Sequence, residues 1–261
     1  MAIITLTSDL GGKDSYLASV KGSIYSQLES AKIVDITHDI TPFDIQQAAY
    51  VLRNCFKDFP QGTIHIISID DELAIKNEHL AVKANGHYFI GADNGLFSLL
   101  LNEMKAEKMV RLTISQSTNC MTFATKNIFV SAACHLARGG TMEIIGTEVA
   151  DFEVKRTELK AVIEKDMIRG VVIYVDGYGN AITNISKEVF EGVQKGRSFS
   201  ILFGREDEQI TIISAKYKEV SPSEKLALFG ENDLLQIAMN QGEANKLLGL
   251  NLHEIIRIEF K

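Results

Sequence analysis

The stretch AIITLTSDLGG, residues 2–12, carries the pattern on which the predicted fold depends. Its run of Ile, Leu and Thr is typical of a buried strand, and the glycine pair that follows Asp9 is typical of a turn. Residues 15–28 then have the apolar spacing of a helix, and residues 32–40 have the composition of a second strand. Because strand, helix and strand follow one another at short spacing, we predict the start of a parallel sheet.

The same alternation continues toward the middle of the chain, where apolar runs are separated by turn residues. A sheet with helices on its faces is the architecture that such alternation favours. Asn and Gly in sequence are a strong signal for a tight hairpin turn. We predict helices at residues 44–56, 96–104 and 128–137, a strand at residues 62–71, and a hairpin at residues 79–95 around Asn85 and Gly86.

The pattern changes after residues 149–168, which are rich in charge and weak in periodicity and are predicted to be a connector. Short β-rich segments separated by Gly, Asn and charged turns follow to the end of the chain. We therefore predict two domains, an α/β domain at residues 1–160 and a smaller, mostly antiparallel β domain at residues 161–261.

Composition excludes several classes of protein. The chain has 261 residues, 46% of them hydrophobic, and only three prolines, which is typical of a compact globule. Its net charge of -7 and the absence of a basic run argue against a nucleic-acid partner. No apolar run is long enough to span a membrane, and no signal peptide is expected at the N-terminus. The three cysteines, Cys55, Cys120 and Cys134, are isolated, which predicts a reduced, cytoplasmic environment and no zinc site.

Polar residues gather where four of the predicted strands end. Each group taken alone is better explained by helix capping or a turn, but four groups at one sheet edge make capping alone a poorer explanation and indicate a ligand site. The spacing is not that of a phosphate-binding loop, and no histidine pair has metal-ligand spacing, so His38 and His65 are predicted to be structural. The groups are Thr7-Ser8-Asp9, Thr37-His38-Asp39, Asp70-Asp71 and Asp93-Asn94.

Seven motifs occur in an order that resembles a known family. They are TSDLGGKDSY (7–16), DITHDITPFDIQQAAYVL (35–52), FPQGTIHIISID (59–70), GADNGLF (91–97), TFATKNIF (122–129), VDGYGNAITNI (175–185) and LLQIAMNQGEANKLLGL (234–250). The chain resembles the S-adenosylmethionine hydroxide adenosyltransferases, the relatives of fluorinase and chlorinase. The resemblance implies an α/β fold, with a largely parallel α/β sandwich at the N-terminus and an antiparallel β-barrel-like C-terminal domain. It also implies a homotrimer whose sites lie between neighbouring subunits.

The implied reaction is displacement of methionine from the ribose 5′ carbon by water or halide, with S-adenosylmethionine as substrate and no cofactor. Asp9 would accept hydrogen bonds from the ribose hydroxyls, and Phe43 would lie over the sugar and adenine. Asp176 would pair with the methionine ammonium, although without the resemblance its segment would be interpreted as ordinary turns. The residues implied on the adenine side are Tyr178, Asn180 and Asn240.

The loop at residues 122–129 departs from the hydrolytic members of the family. Those members handle water with an Asp, an Arg and a His; the Asp is present as Asp70. An ungapped comparison places Asn77 and Ala124 at the Arg and His positions, unless the loop after Asp70 shifts in register. Thr125 stands where fluorinase has its halide-holding Ser, so Asp70 and Thr125 are the predicted catalytic residues. Alternatively, Thr125 caps a helix predicted to begin near Asn127.

A second departure concerns Glu231, which stands in a run where the family usually has a small Ser near the methionine carboxylate. A carboxylate there would repel that of methionine. Two hypotheses follow: an S-adenosylmethionine hydrolase with a modified nucleophile pocket, or a catalytically weak or inactive protein that binds adenosine or S-adenosylmethionine. A different nucleophile or nucleoside substrate is a third alternative.

Overall fold

A computed structural model describes most of the chain and divides it into two compact units, Met1–Thr157 and Glu158–Lys261. The predicted boundary at residue 160 adjoins residues 155–159, which lie outside the described residues. Cys55 and Cys134 are free thiols, and Cys120 lies outside the described part of the chain. The described residues are 3–75, 77–102, 104–115, 122–154, 160–204 and 209–261.

The first unit is built on one seven-stranded sheet. Its strands are β1 (Ile3–Ser8), β2 (Lys32–Thr37), β3 (Ile64–Ser68), β4 (His79–Ala84), β5 (His87–Ala92), β6 (Ala106–Leu112) and β7 (Gly146–Glu148). The spatial order is β2-β1-β3-β5-β4-β6-β7, with parallel pairing from β2 to β5 and antiparallel pairing beyond. The antiparallel edge includes β6 and β7, which were not predicted.

Helices cover both faces of this sheet, which confirms the predicted α/β sandwich. One apolar cluster joins α1 and α4 to one face, and a second joins α2 and α3 to the other. No helix among the described residues combines the length and the hydropathy that crossing a bilayer requires. The helices are α1 (Tyr16–Gln27), α2 (Ile45–Arg53), α3 (Leu96–Leu101), α4 (Val130–Ala137, preceded by a π-helical turn at Thr125–Phe129) and α5 (Met142–Ile145); 3₁₀ turns occupy Phe56–Asp58 and, in the second unit, Tyr217–Glu219.

The hairpin between β4 and β5 has the predicted turn. Asn85 and Gly86 have φ values of 50° and 75°. Two successive residues with positive φ characterise the type I′ turn, whose twist matches that of the flanking strands. Asn and Gly tolerate this conformation better than other residues, so the turn fixes the register that pairs His79 with Ala92.

A chain of buried polar groups crosses the first core. The Oγ1 of Thr5 lies 2.7 Å from Nδ1 of His65, and Nε2 of His65 lies 3.2 Å from Nδ1 of His87. The His65 ring also stacks on Phe89 at 5.0 Å between ring centroids. The structural role predicted for His65 is thus confirmed. Burial lowers the pKa of His65 from 6.5 to about 3, and the adjacent His87 adds to this effect.

Acid is therefore expected to destabilise the protein through His65. Between pH 6.5 and about 3 the unfolded chain binds a proton that the folded chain does not, so stability is complete above pH 6.5 and falls as the pH falls. The expected loss from pH 7 to pH 5 is about 2 kcal/mol. Urea unfolding at both pH values measures it. The loss should shrink in Thr5→Val with His65→Leu but not in a control, His253→Gln, which changes an exposed histidine; an unchanged loss in the double variant would contradict this assignment.

The second unit is an antiparallel sheet that nearly closes on itself. Its order is β12-β11-β15-β9-β10-β14-β13, with β8 paired to β9. The N–H of Ser214 donates to the Ala227 carbonyl at 2.8 Å, so the chain after β12 lies against β13 and brings the two edges together. This confirms the β-barrel-like prediction. The strands are β8 (Val162–Glu164), β9 (Met167–Val175), β10 (Ala181–Ser186), β11 (Phe199–Leu202), β12 (Gln209–Ile210), β13 (Lys225–Phe229), β14 (Leu234–Met239) and β15 (Ile255–Phe260).

Two features of this unit differ from the sequence prediction. The prediction that residues 149–168 form a connector is wrong near the C-terminal end of this range, because Val162–Glu164 forms β8 and pairs with Met167–Arg169. Two helices were not predicted, α6 (Lys187–Gln194) and α7 (Ala244–Leu248). The Ser186 hydroxyl caps α6 by accepting from the Val189 N–H, a local signal that the β-rich composition obscured.

Candidate functional site

The carboxyl ends of β1, β2 and β3 bring the predicted polar groups together. The N–H of Asp9 lies 3.4 Å from the Ser68 carbonyl at the end of β3. The hydroxyl of Ser8 lies 2.7 Å from Nδ1 of His38, which follows β2. Nε2 of His38 lies 3.1 Å from the carboxylate of Asp35. His38 therefore connects neighbouring strands at the edge where parallel α/β sheets bind ligands.

Asp9 and Phe43, which the resemblance placed at the sugar, are in direct contact. Oδ2 of Asp9 accepts a hydrogen bond of 2.9 Å from the Phe43 N–H. Phe43 has a φ of 67°, which is uncommon for a bulky residue, and 73% of the residue's surface is exposed. Asp44 begins the next helix and accepts from Gln46 and Gln47. The loop thus holds an aromatic ring out into solvent beside a carboxylate.

Three carboxylates lie near one another at this edge. Burial raises the pKa of Asp9 above its ordinary value, while the hydrogen bond from Phe43 opposes the rise. The nearby Asp71 and Asp70 carboxylates raise the pKa of Asp9 further. The edge is consequently suited to ligand groups that donate hydrogen bonds or carry positive charge.

Asp70 has a strained backbone that other side chains hold in place. Its φ is 48°, a left-handed value that costs a residue other than glycine about 1–3 kcal/mol. The amide of Asn77 donates to the Asp70 carbonyl at 2.8 Å and to the Glu72 carbonyl at 2.9 Å. Asn94 donates to the Ile69 carbonyl at 3.0 Å. The side chain of Asp70 is consequently presented at the surface.

Thr125 lies inside the helical segment, which begins two residues earlier than Asn127, where it was predicted. Its N–H donates to Oδ2 of Asp71 at 2.8 Å, and its hydroxyl bonds to the same carboxylate oxygen. Its Oγ1 also lies 2.6 Å from Oγ of Ser68. The residue at the N-cap position is Ala124 and Thr125 already lies within the helical segment, so the alternative that Thr125 caps the helix is wrong. Asp71 supplies the anion at this helix start, a role that the sequence did not reveal.

In the second unit, the side chain of Asp176 organises the turn between β9 and β10. Oδ1 accepts from the N–H groups of Tyr178 and Asn180, both at 2.9 Å, and Oδ2 accepts from the Asn180 amide at 2.8 Å. Gly179 has a φ of 79° within this turn. The interpretation of this segment as a turn is therefore correct. Because a carboxylate has about four acceptor sites, Asp176 can still accept hydrogen bonds from a ligand ammonium.

An open groove of about 910 Å³ lies beside this turn. Tyr178, which is 82% exposed, and Asn180 are in its lining. Asn240 is buried, and its amide donates to the Val220 carbonyl at 2.7 Å. The groove offers aromatic and apolar surface together with polar groups, which suits a flat heterocycle. Its lining residues are Gly177, Tyr178, Asn180, Tyr217, Met239, Gln241, Gly242, Glu243, Lys246 and Leu247.

Comparison with known proteins identifies both units. The family model for the SAM hydroxide adenosyltransferase N-terminal domain matches residues 4–146, and the model for the C-terminal domain of that family matches residues 170–257. The chain belongs to the SAM hydroxide adenosyltransferase family. The family suggested by the seven motifs is thus confirmed.

Similar proteins align over most or all of this chain. The (R)-S-adenosyl-L-methionine hydrolase of Methanocaldococcus jannaschii is 29% identical over 98% of this chain and 95% of its own. The protein of the same name from Thermus thermophilus is 29% identical over 96% of each. The fluorinase of Nocardia brasiliensis is 26% identical over 74% of each. An uncharacterized conserved protein from Thermotoga maritima superposes with a TM-score of 0.89 at 26% identity, covering 98% of this chain and 99% of its own.

Ala124 and Asn77, which the sequence comparison placed at the His and Arg positions of the hydrolytic members, make contacts within the protein. Ala124 is fully buried in the core cluster that contains Ile128 and Phe129, and its φ and ψ of -61° and -37° are helical. Asn77 is directed at the backbone of its own loop, through its bonds to Asp70 and Glu72. Neither side chain has the chemistry of the Arg or His that was expected at its position.

Glu231, which stands where the resemblance led us to expect a small Ser, lies in the turn between β13 and β14. The turn is closed by the Gly230 N–H, which donates to the Leu234 carbonyl at 3.0 Å, and Asp233 has a φ of 56°. Glu231 itself is exposed. The side chain is thus free to change its orientation in this turn, which weakens the argument that it must repel a methionine carboxylate.

Proposed function

We propose that this protein hydrolyses S-adenosylmethionine to adenosine and methionine, by attack of water on the ribose 5′ carbon. The observation that carries the proposal is the match of both family models together with the near full-length alignment to proteins named (R)-S-adenosyl-L-methionine hydrolase. S-adenosylmethionine enters as the substrate. Its sulfonium leaves as a neutral thioether, so the departing group needs no proton.

The sugar and the nucleophile are assigned to the first unit. Asp9 accepts hydrogen bonds from the ribose hydroxyls, and Phe43 packs on the sugar and adenine. The raised pKa of Asp9 and the exposed ring of Phe43 support this assignment. Asp70 and Thr125 belong to the pocket of the attacking water, where the sheet edge and helix start meet. The positive charge of the sulfonium is dispersed in the transition state, so a pocket that excludes bulk water favours the reaction.

The methionine and adenine are assigned to the second unit of a neighbouring subunit in a homotrimer. Asp176 pairs with the methionine ammonium, and Tyr178 and Asn180 contact the adenine in the groove. Asn240 supports this wall by holding the segment at Val220. The exposure of Tyr178 and the volume of the groove support the assignment, since both are available to a ligand.

A second candidate is a weak or inactive protein that binds adenosine or S-adenosylmethionine. The bonds of Asn77 to its own loop and the burial of Ala124 favour it, because two groups that handle water in hydrolytic relatives are then missing. A positioned acid or base typically contributes about 10²- to 10⁴-fold to a rate. Loss of that contribution would leave binding intact and turnover low.

Incubation with S-adenosylmethionine, followed by chromatography, separates the two candidates. The hydrolase releases adenosine and methionine in equal amounts. The binding protein gives a calorimetric signal with adenosine or S-adenosylmethionine but no product. Absence of both product and binding would contradict both candidates.

A further inference from the structure

Asp71 uses one carboxylate oxygen to occupy both hydrogen-bond donors of Thr125. The N–H of Thr125 donates to Oδ2 of Asp71 at 2.8 Å, and the Thr125 hydroxyl bonds to the same oxygen. Thr125 is 1% exposed and Ser68, whose hydroxyl also contacts it, is 4% exposed. Asp71 itself is half-buried, so a partly exposed carboxylate is anchored to two buried residues.

The position that Asp71 fills is one that otherwise attracts a free anion. N–H groups at the start of a helix carry partial positive charge and bind anions. The helical segment that begins at Thr125 continues through α4 to Ala137. Because the anion here is covalently part of the chain, a halide at Thr125 would have to displace a carboxylate and would be repelled by its charge.

The other oxygen of Asp71 remains available for a proton. Among the described residues, the hydrogen bonds made by the Asp71 carboxylate all involve Oδ2. The influence of Asp71 on the pKa of Asp9 shows that its charge acts at the sheet edge assigned to the ribose. A carboxylate with one oxygen anchored and one unengaged is suited to orient a water molecule and accept its proton.

We propose that Asp71 selects water over halide as the nucleophile of this protein, and this proposal rests on the proposed function. The oxygen of water forms a bond to the ribose 5′ carbon while the carbon–sulfur bond breaks and its electron pair goes to sulfur. One water proton passes to Asp71 and then to solvent. The relatives include hydrolases and fluorinases on one fold, so the nucleophile must be selected by residues within the pocket.

Asp71→Asn and Asp71→Ala test the proposal, with Glu72→Gln as a control that removes a neighbouring exposed carboxylate. Asp71→Asn keeps an oxygen that accepts from Thr125 and is expected to fold. Its rate constant for adenosine release should fall about 10²-fold or more at nearly unchanged KM. Glu72→Gln should match the wild type. A rate for Asp71→Asn within about twofold of wild type would overturn the role in proton transfer.

Halide binding gives a readout that does not require turnover. In crystals soaked with sodium bromide, Asp71→Ala should show bromide within hydrogen-bond distance of the Thr125 N–H and hydroxyl, and the wild type should show none. Bromide in the wild type, or none in a folded Asp71→Ala, would overturn the exclusion. If Asp71→Ala does not fold, adenosine release by Asp71→Asn decides. A third outcome is possible, in which the wild type forms no adenosine and only Asp71→Ala binds bromide. This outcome would contradict the proposed hydrolysis but would support the exclusion of halide by Asp71.

Discussion

Replacement of Asp9 by alanine is expected to lower the affinity for adenosine at least tenfold. A hydrogen bond to a charged acceptor contributes about 1.5–3 kcal/mol, and a factor of ten corresponds to about 1.4 kcal/mol. The variant also loses the bond that Asp9 accepts from the Phe43 N–H, which helps to hold Phe43 at a φ of 67°. Both effects weaken binding, and calorimetry with adenosine measures their sum.

Two further variants separate these effects. Asp9→Asn keeps an oxygen that can accept from Phe43 but removes the charge, so it should still bind adenosine more weakly than wild type does. Asp58→Ala removes an exposed carboxylate from a 3₁₀ turn outside the candidate site and should bind normally. Wild-type affinity in Asp9→Ala would remove Asp9 from the ribose site. Wild-type affinity in Asp9→Asn alone would mean that Asp9 acts only through the Phe43 loop.

A mixture of Asp9→Ala and Asp176→Ala subunits is expected to recover the binding that each variant lacks. If Asp9 of one subunit and Asp176 of its neighbour form one site, each homotrimer contains only damaged sites. In randomly mixed trimers about one site in four combines an intact Asp9 with an intact Asp176. Unfolding and refolding the variants together should therefore restore about a quarter of the wild-type sites, measured as S-adenosylmethionine bound or cleaved per subunit, because only this ligand carries the ammonium assigned to Asp176.

Each parent refolded alone is the control, and mass-tagged subunits verify the exchange. Melting temperatures show whether loss of the three hydrogen bonds at Asp176 unfolds its turn. Where it does, Asp176→Asn is the substitute, because its oxygen still accepts from the Tyr178 and Asn180 N–H groups. No recovery despite verified exchange would place the whole site within one chain and exclude the inter-subunit arrangement.

The parts of the fold that depend on short-range signals were predicted well. The first strand and the helices α1 and α2 were predicted from the periodicity of their apolar residues. The Asn85-Gly86 turn was predicted from the tolerance of these residues for positive φ. The strand Ala106–Leu112 was missed because its charged residues mask the alternation expected of a half-buried strand. The helix Lys187–Gln194 was missed because only eight residues lie between β segments.

The site was predicted less completely because its important contacts join distant parts of the chain. Asp71 and Thr125 are separated by 54 positions, and no local pattern indicates that one binds the other. Resemblance pointed to Thr125 but could not show that a carboxylate of the same chain occupies its donors. The helix boundary was wrong for a related reason: Thr125 is stabilised in helical conformation by Asp71, not by a capping residue near it in sequence.

Hydrolysis in water enriched in ¹⁸O tests the central claim most directly. Attack of water on the ribose 5′ carbon places the solvent oxygen in the 5′ hydroxyl of adenosine, and methionine departs without label. Mass spectrometry of the products of S-adenosylmethionine should therefore show adenosine heavier by the mass of the isotope, formed in equal amount with methionine. Unlabelled adenosine, or an intact substrate that binds but is not cleaved, would contradict hydrolysis at the 5′ carbon.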